Sequence, residues 1–155
     1  FGGYKMKMLS LIVGVLTVLS TEARSTQITP TPMAELVSKA EFIVVGNVVK
    51  VDIVDAGGHE LLDPDARTGP GSKNTLRLHV IVERGHIMKG DRKKIPTKII
   101  VPNWRAWHNK LKYERARREG KAFIFLLKGD DFSPVSAPES VRFLSERSAI
   151  EKLIK

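Results

Sequence analysis

The chain has 155 residues, no cysteine and a formal net charge of +9, with 42% apolar and 28% charged residues. That length suits one core rather than two, and the apolar share excludes disorder as the main state. The absence of cysteine excludes a disulfide framework, a thiolate metal site, a cysteine nucleophile and a lipid-modified cysteine, so the domain has to stand on packing alone.

Lys5 and Lys7 precede an apolar run from Leu9 to Leu19, and Ala23-Arg24-Ser25 places small residues at the two positions a signal peptidase reads. We expect export with cleavage after Ser25, leaving one domain over 26–155 in a secreted or periplasmic setting. An apolar core of roughly 11 residues falls short of the ~20 that span a bilayer. A run that is apolar all round also lacks the polar face of a surface helix. The sequence opens on Phe1, so Met6 or Met8 is the expected start. An exported domain of this size without staples points to a bacterial source.

Thr31-Pro32 predicts a helix start, with the hydroxyl at N-cap and proline at the first helical position. Met33, Leu36 and Val37 then give a packing face, with Glu35, Ser38 and Lys39 outward. Phe42 to Val54 is dense in β-branched residues on both faces and predicts a long strand, bent at Gly46 where a missing Cβ admits close approach. Asp55 to Asn74 is rich in glycine and proline and reads as a long loop. Thr75 to Glu83 has a period of two, setting Leu76, Leu78, Val80 and Val82 against Arg77, His79, Ile81 and Glu83. Lys89-Gly90 closes the following connection, and Thr97 to Val101 predicts a strand stopped by Pro102.

Two readings stay open for Asn103 to Gly120: a helix with Trp104, Trp107 and Leu111 on one face, or an extended loop over Arg105 to Arg118. Lys121 to Lys128 holds a short continuous apolar run that suits a strand buried on both sides. Ser133 to Val135 and Val141 to Leu144 read as the arms of a hairpin around Ala137-Pro138. Ser148 and Glu151 match a capping box, opening a C-terminal helix that packs through Ile150, Leu153 and Ile154.

In order, a short helix, AEFIVVGNVVKV, LRLHVIVERGHIMKG, a third strand, a gap and GKAFIFLL resemble the tissue-inhibitor-of-metalloproteinases-like, or netrin-like, superfamily in its cysteine-free bacterial exported form. The matching residues are the apolar strand with Gly46, Val82-Glu83-Arg84, Met88-Lys89-Gly90, and Gly120 with Phe123 to Leu127. The resemblance implies a mainly β fold, a five-stranded OB-type barrel with a short N-terminal helix and a C-terminal helix. It implies no inhibitory site, because the family's inhibitors place an N-terminal cysteine on a protease zinc and this chain has none.

Charge is concentrated between Arg84 and Lys121, where thirteen lysines or arginines face three acids, a formal +10. Such a segment steers polyanions, and neighbouring tryptophans stack on rings. The expected contacts are Trp104, Arg105, Trp107, Lys110, Lys112, Arg115, Arg117 and Arg118. Export argues against nucleic acid, so the expected partner is an anionic glycan, a lipid headgroup or an acidic protein surface. The competing reading is a solvated basic face over two core tryptophans.

His59, His79, His86 and His108 have neither the spacing of a zinc helix nor an H-E-x-x-H setting. Asp63 and Asp65 read as a turn, lacking the further ligands of a calcium loop. No nucleophile-elbow, phosphate-loop or dinucleotide fingerprint occurs. We therefore expect a non-enzymatic exported binding module without a cofactor. The alternatives are a protease-inhibitor-like domain acting through a loop or its N-terminus, an enzyme using His79 or His86 with a carboxylate, and a component of an envelope assembly.

Overall fold

The computed structural model describes residues 29–103, 109–137 and 139–155. The expected export segment over 1–25 lies outside them, as do Trp104, Arg105, Trp107 and His108. The elements in order are α1 (Met33–Lys39), β1 (Phe42–Val54), β2 (Arg67–Thr68), β3 (Thr75–Lys89), β4 (Lys98–Asn103), β5 (Asn109–Lys110), α2 (Leu111–Arg118), β6 (Ala122–Lys128), β7 (Ser133–Pro134), β8 (Val141–Arg142), a 3₁₀ turn (Leu144–Glu146) and α3 (Arg147–Glu151).

The fold is mainly β. Six strands form one antiparallel sheet in the order β4-β3-β1-β6-β7, with β8 also on β6, and β2 pairs with β5 in a small second sheet. Six strands stand where five were expected, because β7 and β8 both add to β6. They are not the arms of a mutual hairpin: Leu127 pairs with Pro134, and Ile124 with Arg142, along one edge. Among the described residues no hydrogen-bonded ladder joins β4 to β7, so the sheet stays open.

Strands β1 and β6 look apolar on both sides because both sides are buried. Phe42, Val44, Phe123, Phe125 and Leu127 enter a core shared with Leu76, Leu78, Val80, Val101 and Leu111. The alternate residues Ile43, Val45, Ile124 and Leu126 pack against Leu36, Val37 and Ala40 from α1 and Ile150 from α3. A Cβ at Gly46 would lie 2.3 Å from Val80 Cγ1 and 3.0 Å from the Ile81 carbonyl oxygen, and the β1–β3 register shifts between Val44 and Gly46. Close approach and bend thus coincide at the residue without a side chain.

Several boundaries differ from expectation. Strand β3 runs on to Lys89, since pairing with Ile43 and Val44 resumes after an irregularity. Pro102 lies inside β4, opposite Arg77; β4 is last in the sheet order, where a residue without N–H is tolerated. Thr31 does not cap α1. Pro32 occupies that position, its carbonyl accepts from Glu35 N and Leu36 N, and Thr31 N donates instead to Glu139 Oε1 at 2.8 Å. The C-terminal helix starts before Ser148: Glu146 Oε2 accepts from Phe143 N at 2.9 Å, and Leu153 is exposed rather than packed. The described residues contain no helix long and apolar enough to cross a membrane.

Candidate functional site

Helix α2 carries five of the expected contacts if the strand leading into it is included, and two of its charges, Glu114 and Arg118, turn inward. Leu111, Glu114 and Arg118 form the buried stripe, and Arg118 Nε donates to Glu114 Oε2 at 2.8 Å. The loop reading of Arg105 to Arg118 is corrected over Leu111–Arg118, where the spacing of these three residues gives the helix its packing face. Arg117 is well exposed and lies 3.6 Å from Glu114 Oε1. Lys110 and Lys112 both reach Asp65 Oδ1 at 3.0 Å, pinning the long loop to the helix. In that loop Ala66 and Pro64 carbonyls accept from Leu111 N and Lys112 N, and Asp63 caps Asp65 N as a turn.

Arg115 has a different task. Strand β6 pairs with β1 only as far as Asn47, leaving the next stretch of β1 without a neighbour on that side. The end of α2 supplies one: Val48 N donates to Lys121 O, Gly120 N to Val48 O, Val51 N to Glu119 Oε1 at 2.8 Å, and Arg115 Nε to Val51 O at 3.1 Å. Charged side chains thus complete the backbone bonding of a buried strand, which otherwise leaves costly unpaired groups. Beside them Arg117, Arg118 and Lys121 meet Phe123, Val141 and Phe143 in a small cleft of about 200 Å³, with the Arg118 guanidinium 5.7 Å from the Phe123 ring centre.

The other half of the basic segment is arranged differently. Arg84, Arg92, Lys93, Lys94 and Lys98 are exposed, and among the described residues none has a carboxylate partner. Asp91 builds the turn that displays three of them, its carboxylate accepting from Lys93 N at 2.9 Å and its carbonyl from Lys94 N at 3.1 Å. Ile95, only 2% exposed, ties that turn into the core. Gly90 begins it at φ +103°, where a Cβ would also meet Phe42 Cδ1 at 2.6 Å.

On the outer face of β1, β3 and β4 lies an arrangement that sequence reading missed. Asp52, with no exposed side-chain surface, accepts from Arg77 Nε and Nη2 at 2.8 Å each and bonds His79 Nε2 at 2.8 Å; Lys50 stands 3.6 Å away. Burial pushes the Asp52 carboxyl upward, but the hydrogen bonds from Arg77 and His79, with their charges, outweigh it and bring it down to about 2. The signal was Asp52 itself, an acid of outward parity between Val51 and Ile53, matched by Arg77 and His79 on the outward face of β3. Beside this cluster Val49, Ile81 and Ile100 are exposed and help line a groove of about 400 Å³ with Lys50, His79 and Lys98.

Each of the two histidines considered for catalysis has a carboxylate beside it, but not the same one. His86 stands with Glu83 and Arg147, and His79 with Asp52. No group of three His, Asp or Glu side chains among the described residues could hold a metal ion. No protein-family model matches the chain, and no curated protein matches it.

Proposed function

We propose that the chain is an exported, non-enzymatic binding module that holds a polyanionic partner on the connection between β3 and β4. One observation carries this reading: the described cations of α2 and its flanks are committed to carboxylates and backbone carbonyls, whereas Arg84, Arg92, Lys93, Lys94 and Lys98 are exposed and uncommitted. Of the expected contacts, Lys110, Lys112, Arg115 and Arg117 serve as an auxiliary surface and Arg118 as its internal support.

The module is an OB-type barrel of the netrin-like kind in this reading. Supporting it are the bend at Gly46, the two-sided burial of β1 and β6, and the approach of β4 to β7 from opposite ends of the sheet. Export is supported by Lys5, Lys7 and the apolar run before Ser25.

The test is retention on heparin at stepped salt. Reversal of Arg92, Lys93 and Lys94 to glutamate is expected to abolish retention, because exposed charge contacts weaken steeply with both charge and ionic strength. Unchanged retention at low salt overturns the reading.

A further inference from the structure

The groove across β1, β3 and β4 is open to solvent, and one of the uncommitted cations, Lys98, lines it. Val49, Ile81 and Ile100 are 54, 36 and 49% exposed. Cross-strand pairing sets Ile81 beside Lys98 and Ile100 beside His79, so these four side chains share the outward face. An aliphatic cluster left uncovered by folding marks a contact surface when cations rim it.

The groove residues are Val49, Lys50, His79, Ile81, Lys98 and Ile100 together with the strand residues Val80 and Ile99, none of them acidic; the surface acid Glu60 is taken up by Lys50 at 2.9 Å, which leaves Lys98 as the free cation of the lining among the described residues. Asp52 beneath adds no surface charge, since its side chain is covered and held by Arg77 and His79. From Lys98 the chain leads back through Ile95 to the exposed Lys94, Lys93 and Arg92. Lysine stems lie along apolar surface while their ammonium groups reach outward. A partner complementary to this face has an apolar layer beneath a layer of negative charge. An acidic glycan satisfies the cations but leaves the three aliphatic side chains in water, whereas a bilayer containing anionic lipid satisfies both.

We propose that this face docks on an anionic bilayer surface, with Val49, Ile81 and Ile100 entering the acyl boundary and Lys98, Arg92, Lys93 and Lys94 on the headgroups. The proposal rests on the polyanion reading above and narrows it to one partner.

The absence of cysteine permits a direct measurement on the full chain. Single Ile100→Cys and Phe143→Cys variants, each carrying a bimane label, are mixed with phosphatidylcholine vesicles containing phosphatidylglycerol and lipids brominated along the acyl chain. Loss of most of the fluorescence at position 100, with little loss at position 143, is expected. The same label at position 100 should keep its fluorescence when Arg92, Lys93 and Lys94 are reversed to glutamate. Such a local readout is independent of any partition of the Leu9–Leu19 run.

An unquenched label at position 100 on vesicle-bound protein overturns the bilayer proposal. If heparin still retains the unmodified chain, the polyanion reading stands and a glycan replaces the bilayer. If neither heparin nor anionic vesicles hold the chain, the polyanion reading itself fails.

Discussion

Arg77 grips Asp52 through two parallel hydrogen bonds of 2.8 Å, Nε to Oδ1 and Nη2 to Oδ2, while His79 Nε2 closes on Oδ2 at the same distance. Two-point guanidinium bonding of this kind is stronger than a neutral hydrogen bond and fixes both partners. It joins β1 to β3 on the face opposite their apolar core.

The cluster makes stability depend on acid pH with a definite sign. The Asp52 carboxyl is lowered from its ordinary 3.8 to about 2 in the folded protein. Its contribution is therefore complete above the unfolded value and is lost as pH falls toward the folded one, between about pH 4 and pH 2. The loss should be on the order of 2 kcal/mol. Urea midpoints across pH 2–7 check this: Asp52→Asn should be less stable than the parent at pH 7 and converge with it near pH 2. Parallel curves for the two proteins would refute the assignment.

Glu114 and Arg118 give a second prediction. Both side chains are almost fully removed from solvent, 2.8 Å apart. Arg118→Met removes the buried counter-charge on Glu114 Oε2 and should lower stability by about 3 kcal/mol, read from denaturant unfolding. Changing Glu114→Gln as well should recover much of that loss. If the single and double variants are equally damaged, the pair is not what holds α2 against β1.

A third prediction concerns Gly46. Alanine there places a methyl against Val80 Cγ1 and the Ile81 carbonyl, neither of which can swing away. Gly46→Ala is expected to destabilise by about 1–3 kcal/mol. Adding Val80→Ala should restore only part, because the carbonyl contact remains.

Asp65 separates loop pinning from partner binding. It neutralises Lys110 and Lys112 at an exposed site, so Asp65→Asn should leave the denaturant midpoint almost unchanged. The same change releases two cations, and elution from heparin should move to higher salt. Unchanged elution would show that the α2 surface takes no part in anion contact.

Much of the fold was legible because burial writes itself as periodicity. Leu76 to Val82 and the double-sided Phe42 to Val54 and Phe123 to Leu127 announced their strands, and Gly46 announced its bend. What stayed hidden depended on non-local pairing. Nothing around Ser133 or Val141 says that both join β6 rather than each other, and Pro102 reads as a stop until β4 is known to be an edge. The site was harder, since a run of arginines looks identical whether it faces solvent or bonds a carbonyl. That Arg115 serves Val51, 64 residues away, is visible only once α2 lies beside the end of β1. Asp52 is hard to read because a single acid in an apolar strand acquires meaning only through its cross-strand neighbours, Arg77 and His79.

The placement of β7 and β8 along one side of β6 has a bearing on colloidal behaviour. Residues 123–127 form the most uniformly oily stretch of the described chain, the sort of sequence that recruits a neighbouring molecule into a growing intermolecular ribbon when its backbone is bare. Two brief ladders occupy that rim, and the far border of the sheet carries Lys98 and Pro102, a charge and a missing donor. Both flanks are thus guarded against self-templated assembly, in a fold that carries no sulfur bridge to hold it shut.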